Sequence, residues 1–131
     1  MLPAPECMRL LAVAAMREEV GRIGIATDQA PVVVPVNFTV TDGQILLRIG
    51  AGFLSHSAAG QLVAFEVDTE DHDAGTAWSV LARGLATLVE SPSQAQLDAA
   101  PRPLVPDPAD QILIVRPDIV TGRHFEIHRP S

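Results

Sequence analysis

The hydrophobic positions of this chain change their spacing early, from a helical repeat to a strand repeat. Over Pro5–Met16 the apolar side chains recur every three or four residues and a proline stands in the first turn, so the segment is predicted to be a helix. From Gly21 onward apolar residues tend to alternate with polar ones, which is the repeat of strands. The pattern therefore predicts one helix followed by a mainly β fold.

The alternating part of the chain divides into about six strands. Asp42-Gly43 predicts a tight hairpin turn, and Pro35 predicts an edge strand or a bulge, because proline cannot donate a hydrogen bond to a neighbouring strand. Gly84, inside a long apolar segment, predicts a bend of the kind that a small closed barrel needs. The predicted strands are Gly21–Thr27, Pro31–Thr41, Gln44–Ile49, Gln61–Asp68, Trp78–Glu90 and a final pair, Gln111–Arg116 and Ile119–Ile127, with a break at Pro117-Asp118.

The segments between the strands are short. A small helix is predicted within Gly50–Gly60 and another from the Ser91-Pro92-Ser93 cap to Ala100, while Thr69–Gly75 and Pro101–Pro108 are predicted to be loops. Such connections leave no room for repeated strand–helix–strand units, so the strands are expected to form an antiparallel barrel. The length of 131 residues suits one domain, spanning residues 1–131.

The composition of the chain argues against several classes of function. The formal charge of −7 and the lack of a basic stripe argue against a nucleic-acid partner. The apolar runs are too short to cross a membrane, and the N-terminus lacks the basic start of a signal peptide. One cysteine cannot form an internal disulfide, so a reducing, cytoplasmic location is expected.

All nine basic residues are arginine, and the chain has no lysine. A Schiff base on lysine and a Walker-type phosphate loop both require the lysine amine, so both are excluded. Any phosphate that this protein binds must be held by arginine, hydroxyl groups or backbone N–H groups.

Metal binding and nucleophilic catalysis have little support. His124 and His128 would stand about 13 Å apart along one strand, too far for one ion, and His72 lies in an acidic loop that is more simply solvated. Cys7 lies on the predicted helix as a small core residue. Ser55-His56 is an adjacent pair without a nucleophile-elbow motif. No metal site and no catalytic residue is predicted from these patterns.

Phosphate binding is the more promising chemistry. Arg48 is predicted to point away from the core, and it is followed by Gly50 and Gly52 and then by the serines at 55 and 57. This arrangement is either a phosphate cradle or an ordinary surface arginine before a loop. Asn37 and Thr39 would lie beside Arg48 in the hairpin, lining a groove or simply facing water. Trp78, the single tryptophan, would either stack on a ligand or pack in the core.

Taken together, these segments resemble the pyridoxamine-phosphate-oxidase-like flavin-binding proteins, in particular the short actinobacterial ones. The resemblance lies in the order and spacing of several motifs and covers roughly Glu6 to Phe125. The motifs are Val34-Pro35-Val36-Asn37-Phe38, Asp42-Gly43, Ile45-Leu46-Leu47-Arg48, Val63–Asp68, Gly75-x-x-Trp78-Ser79-Val80, Gly84-x-Ala86 and Thr121-Gly122-Arg123.

The resemblance implies a six-stranded antiparallel split barrel of the FMN-binding type, a homodimer with two equivalent FMN sites at the interface, and an oxidoreductase acting on a small molecule. The flavin ring would lie against one pair of strands, with its phosphate near Arg48 and the following turn, and other groups would close the pocket. The cofactor-binding residues implied are Val34, Pro35, Val36, Asn37, Leu47, Arg48, Ile49, Leu54, Ser55, Trp78 and Ser79.

The chain departs from its relatives at Leu54, where they usually carry a lysine. Losing a charged hydrogen bond to phosphate would cost about 1–3 kcal/mol unless Ser55, His56 or Arg83 replaces it. The same scaffold is known to hold the deazaflavin F420 or haem. If this chain held haem, His56 or His124 would be the ligand to test. The alternatives are therefore a non-enzymatic flavin, F420 or haem carrier or sensor, and a dimeric domain that binds none of them.

Overall fold

The computed structural model describes residues 1–50, 52–102 and 111–127. Within these residues the fold is mainly β, with three helices and seven strands, and every strand pairing is antiparallel. The elements are α1 (Ala4–Met16), β1 (Gly21–Ile25), β2 (Val32–Val36), β3 (Thr39–Thr41), β4 (Gln44–Ile49), α2 (Phe53–Ala58), β5 (Leu62–Asp71), β6 (Thr76–Val89), α3 (Gln94–Ala99) and β7 (Gln111–Glu126).

The seven strands form one sheet in the order β2-β1-β5-β6-β7-β4-β3. The two edge strands, β2 and β3, are consecutive in the chain and are separated only by Asn37 and Phe38. A sheet whose opposite edges are two residues apart has to curl round on itself, which gives a split barrel and confirms the predicted fold class.

The sheet has seven strands where six were expected, and two of the predicted strand divisions were wrong. The segment Pro31–Thr41, predicted as one strand, is two strands interrupted at Asn37 and Phe38. The predicted break at Pro117-Asp118 does not end the last strand, which runs unbroken as β7. The register between β6 and β7 slips here, so that Gly84 pairs with Pro117, Arg83 pairs with Ile119, and Asp118 is the extra residue of a bulge.

A third prediction was wrong in extent. Thr69–Asp71, predicted as part of an acidic loop, extends β5 and pairs with the start of β6. The turn between them is held by Asp71, whose Oδ1 accepts hydrogen bonds from the backbone N–H groups of Asp73 and Ala74 at 3.1 Å. The acidic composition of this segment suggested a loop, although its backbone pairs with β6 as the end of a strand.

Other local predictions are confirmed. Asp42 and Gly43 both have positive φ, as a two-residue hairpin turn requires. Pro35 lies in the edge strand β2. Ser93 caps α3, with its side chain accepting from the N–H of Gln96. The predicted loop at Pro101–Pro108 lies outside the described residues from position 103 onward.

The core lies between the inner face of the sheet and α1, which contributes Cys7, Leu11 and Ala14. The helix approaches β7 closely, because a Cβ at Gly122 would stand 2.6 Å from the sulfur of Cys7. A Cβ at Gly84 would overlap the carbonyl oxygen of Arg116. Glycine at these two positions permits the contacts that shape the barrel. In the described part of the chain, no helix has the length and apolar character needed to cross a bilayer.

Candidate functional site

The residues predicted to bind a cofactor lie on both faces of the sheet. Alternation along each strand sends neighbouring side chains to opposite sides. The side chains that are buried or packed against the core are Val34, Val36, Leu47, Ile49, Leu54, Ser55 and Trp78. Those that lie away from the core are Pro35, Asn37, Arg48 and Ser79. A ligand on the outer face would therefore contact the second group through side chains and the first group mainly through backbone.

Arg48 and Asn37 belong to one part of the outer face. Thr39 pairs with Leu46 in the β3–β4 hairpin, two residues before Arg48 in β4, and Asn37 lies two residues before Thr39 in the chain. The Arg48 side chain is half-buried. The hairpin therefore brings Thr39 close to Arg48, as predicted, and Asn37 lies just before its paired part.

The side chains of Asn37 and Thr39 hold the segment that follows β6. The Thr39 hydroxyl donates to the carbonyl oxygen of Ala99 at 2.7 Å, and the Asn37 amide donates to that of Arg102 at 3.2 Å. Sequence patterns had offered groove lining or solvent for these two side chains. The structure shows that both are hydrogen bonded to the end of α3 and the residues after it, and that both line the cavity formed there.

These contacts create a cavity of about 480 Å³ between the end of α1, the β2–β3 link and the segment after α3. Glu19 lines it, and its Oε1 accepts from the Thr69 hydroxyl at 3.2 Å. The second oxygen, Oε2, is buried and has no hydrogen-bond partner among the described residues. Glu18 has φ of 56° at the end of α1, a backbone conformation uncommon outside glycine.

The turn after Arg48 is fixed by its own side chains. The Ser55 hydroxyl accepts from the N–H of Gly52 and donates to the carbonyl oxygen of Gly52, both at 2.9 Å. The His56 ring nitrogen Nδ1 lies 2.6 Å from the same carbonyl. Leu54 packs against the core. Ser55 and His56 therefore shape this turn, and their polar groups are already engaged within it.

Trp78 and Ser79 face opposite ways because they are consecutive in β6. Trp78 packs against the core, while Ser79 faces outward opposite Arg123 of β7. An open cavity of about 640 Å³ lies here, and we call it the Ser79 cavity. It is lined by Met1, Ser79, Arg123, His124 and Phe125. Sequence reasoning missed Arg123 and Phe125 as site residues, although their two-residue spacing in a strand puts them on one face with Ser79.

One outward row of positions connects the two parts of the outer face. Asp68, Ser79 and Arg123 are paired in turn across β5, β6 and β7. Val20 and Asn37, the residues just beyond the Gly21–Val36 pair of β1 and β2, continue this row. Three strand spacings separate Asn37 from Ser79, roughly 14 Å at about 4.8 Å per strand. The candidate site is therefore a strip across the sheet rather than a single compact pocket.

The charges within this strip are partly paired. Arg22 of β1 lies 3.1 Å from Asp68 and 3.6 Å from Glu66. Partial burial raises the pKa of Glu66, and the neighbouring Asp68 raises it further. In the described part of the chain no three histidine, cysteine, aspartate or glutamate side chains come together as a metal site would require, and His128 lies outside it.

A family model described as pyridoxamine 5'-phosphate oxidase matches residues 3–124. The chain belongs to the pyridoxamine 5'-phosphate oxidase family. An uncharacterized protein of Mycobacterium tuberculosis is 35% identical over 128 residues, which cover 92% of this chain and 82% of that protein. The sequence resemblance between Glu6 and Phe125 is thereby confirmed.

Solved structures of similar proteins share the fold of this chain. An FAD-binding protein from Mycobacterium smegmatis is 32% identical with a TM-score of 0.76, over 96% of this chain and 98% of that one. An FAD- and haem-binding protein from the same organism is 12% identical with a TM-score of 0.63, over 94% of this chain and 72% of that one. At that identity, the second similarity shows the fold alone. The split barrel of the pyridoxamine 5'-phosphate oxidase family is thus established for this chain, and the ligand is a separate question.

Proposed function

We propose that this protein binds a flavin nucleotide on the outer face of its split barrel and acts as a flavin-dependent oxidoreductase on a small molecule. The observation that carries the proposal is the outward strip from Arg48 and Asn37 to Ser79 and Arg123, on a chain of this family. The FAD-binding relative at 32% identity supports a flavin as the ligand. When bound, a flavin supplies hydride or single-electron transfer.

The residues of the chain would position the flavin. Arg48 is the cation for the phosphate of the FMN portion, since guanidinium groups bind phosphate through two parallel hydrogen bonds. Backbone groups of β2 from Val34 to Asn37 and of β4 from Leu47 to Ile49 would lie along the ring, because the side chains of Val36, Leu47 and Ile49 are buried. The side chain of Trp78 lies on the opposite face and would act indirectly, because its packing against the core fixes the strand that carries Ser79.

We also propose a homodimer, with the cofactor sites at the interface. The support is an apolar area on the outer face of β5, β6 and β7, where Leu62 is 71% exposed and is paired with the exposed Leu85. Ile119 and a shallow cavity of about 500 Å³ adjoin it. Exposed apolar patches of this kind mark protein contacts more often than free surface. Sedimentation should give twice the chain mass, and Leu85→Glu should return it to the monomer.

The cofactor is tested by the visible spectrum. Protein purified with added FMN or FAD should retain flavin absorbance after gel filtration, and Arg48→Ala should weaken binding by about 10-fold or more, the cost of a charged hydrogen bond. Arg9→Ala is the matched control, since Arg9 is an exposed arginine of α1, ion-paired with Glu6 and away from the outer face of the sheet. Retention of full affinity by Arg48→Ala, or the absence of any flavin binding, would contradict the proposal.

Haem is the second candidate, because a protein with the same fold binds both FAD and haem. The ring of His56 is exposed, although Nδ1 is bonded to the turn, and His124 lines the Ser79 cavity. A Soret band after adding haem, lost in His56→Ala or His124→Ala, would support a haem carrier. A flavin spectrum without such a band would support the first proposal. F420 is tested in the same titration by its own absorbance.

A further inference from the structure

The Ser79 cavity has hydrogen-bond donors and an aromatic ring on one face of two paired strands. Ser79 of β6 and Arg123 of β7 are Cα partners, so the hydroxyl and the guanidinium project from neighbouring positions of the outer face. Phe125 is two residues further along β7 and therefore on the same face, opposite Ala77. The cavity volume of about 640 Å³ lies within the range of small-molecule sites. Its lining thus combines a cation, a hydroxyl group and a ring.

The positive charge of Arg123 is not neutralised by the described neighbours. Arg123 is exposed and makes no ion pair with any residue that the structure describes. The two outward carboxylates at this end of β5 each have another basic neighbour, because Asp68 lies 3.1 Å from Arg22 and Glu70 lies 3.4 Å from His72. Arg123 is therefore placed to receive an anion from solvent.

The surroundings of Arg123 favour an anion with a single charge. Asp68 is the Cα partner of Ser79 and Glu70 that of Ala77, so two carboxylates stand one strand away from the donors, on a chain whose formal charge is −7. A doubly charged phosphate would be repelled by these carboxylates more strongly than a carboxylate would, and one guanidinium neutralises only one of its charges. A planar carboxylate also matches the two parallel hydrogen bonds that a guanidinium donates. We therefore expect a carboxylate here rather than a phosphate.

Phe125 adds an accessible aromatic ring beside this charge. It is 49% exposed, and its Cα partner Ala77 has only a methyl group with which to cover it. Contacts between two aromatic rings, stacked with an offset or edge to face, stabilise a complex by more than their buried area alone accounts for. A ligand that carries a ring next to its carboxylate would therefore use both the ring of Phe125 and the guanidinium of Arg123.

We infer that the Ser79 cavity binds a small aromatic carboxylate, with its carboxylate on Arg123 and Ser79 and its ring against Phe125. This inference rests on the proposed function in one respect, since it names such acids as the class of small molecule offered to the flavin. The flavin phosphate would stay at Arg48, and Asn37, beside the proposed position of the ring, lies roughly 14 Å from Ser79 across the sheet. That separation leaves the cavity to a second molecule. No covalent step is part of the inference, which concerns binding alone.

The first test measures the binding of 2-naphthoate to the full chain by calorimetry, without added flavin. Binding should be saturable and about 10-fold or more tighter than that of 2-naphthamide, which has the ring without the charge, or of acetate, which has the charge without the ring. The compound 2-naphthyl phosphate should bind no more tightly than 2-naphthoate. Failure of 2-naphthoate to saturate, equal binding of the amide, or tighter binding of the phosphate would overturn the inference.

Variants of the cavity lining assign the contacts. Arg123→Gln should weaken 2-naphthoate binding by about 10-fold or more, the value of a charged hydrogen bond. Phe125→Leu, which keeps an apolar side chain without the ring, should weaken it by about two- to tenfold. Arg9→Ala, which removes an exposed arginine of α1, is the matched control and should leave it unchanged. Equal losses in Arg123→Gln and Arg9→Ala would contradict the inference. Unfolding temperatures of all variants verify that they fold.

The second test locates the site in the unsubstituted chain by amide NMR shifts. On addition of 2-naphthoate the shifts should concentrate at residues 77–79 and 123–126 and spare the strand end at Arg48. Shifts centred on Arg48, or displacement of 2-naphthoate by FMN, would mean that the acid occupies the flavin site, and the inference would be wrong. Binding of 2-naphthoate by a chain that takes up no flavin would sink the proposed function and leave the acid site standing. Flavin uptake without any binding of 2-naphthoate would do the reverse.

Discussion

The two faces of the same sheet are built in opposite ways. On the inner face, buried aliphatic side chains and glycines are packed so closely that a single methyl group would not fit at Gly122. On the outer face, Arg22, Asp68, Ser79 and Arg123 stand in neighbouring positions, and few of their contacts are buried. The difference indicates that the inner face determines the fold, while the outer face is free to carry a ligand.

The largest effect on stability is expected on the inner face, at a glycine whose missing side chain lets two strand backbones approach closely. Gly84→Ala would place a methyl group onto the carbonyl oxygen of Arg116 at the β6–β7 bulge, where neither strand can move without breaking pairs. We expect the free energy of unfolding to fall by about 3 kcal/mol or more, measured by urea titration.

Gly24→Ala is the matched control, because its new methyl group would meet Ala64 at ordinary distances, the Cβ at 3.7 Å and the carbonyl oxygen at 3.9 Å. That variant should change the free energy of unfolding by less than about 1 kcal/mol. Equal behaviour of the two glycine variants would show that strand glycines matter here for chain flexibility and not for space.

A smaller loss is expected at the contact between α1 and β7. Gly122→Ala brings a methyl group within 2.6 Å of the Cys7 sulfur and should cost about 1–3 kcal/mol in unfolding free energy. If the collision with sulfur is the cause, the cost should shrink in a Cys7→Ala background. Additive losses in the double variant would contradict this cause, since independent sites add.

The outer face should respond more mildly. Thr39→Val removes the hydroxyl that donates to Ala99 at 2.7 Å and should lower the unfolding free energy by about 1 kcal/mol. Thr41→Val, an exposed position in the same strand, is the control and should have little effect. Hydrogen exchange should then show faster opening of α3 in Thr39→Val alone. An unchanged α3 would mean that this hydrogen bond does not hold the segment.

The smallest effect concerns pH. Because the pKa of Glu66 is raised in the folded protein, the folded state binds the proton more tightly than the unfolded chain does. Stability should therefore decline as pH rises from the ordinary glutamate pKa through the raised one, and Glu66→Gln should flatten that decline. Glu90→Gln, an exposed control, should follow the wild-type curve. A steeper decline in Glu66→Gln would show that the bond to Arg22 outweighs burial.

Sequence patterns predicted the fold class and most elements, because alternation, the Asp42-Gly43 turn and the Ser93 cap act locally. They failed where the local structure depends on a residue that is distant in the sequence. The bulge that accommodates Pro117 needs Gly84 on a neighbouring strand, and no local rule pairs the two. The two-residue break at Asn37 and Phe38 likewise depends on the sheet curling until its edges meet.

The candidate site was predicted less completely. Arg48 could be placed on the outer face by counting along its strand, and the structure agrees on that orientation. Counting cannot reveal that Asn37 and Thr39 are bonded to the backbone after α3, or that Ser55 closes its own turn. Such contacts join segments whose spacing in sequence is unrelated to their separation in space. Whether the predicted residues bind a cofactor stays a prediction.

The single sulfhydryl of the chain, that of Cys7, lies completely buried between α1 and β7, and burial raises the pKa of this thiol. A maleimide or aromatic disulfide reagent can therefore reach it only in molecules whose first helix has lifted away. The labelling rate, read by mass spectrometry without any engineered tag, measures how often that helix undocks. The chain thus carries its own probe of how often the barrel opens at this helix.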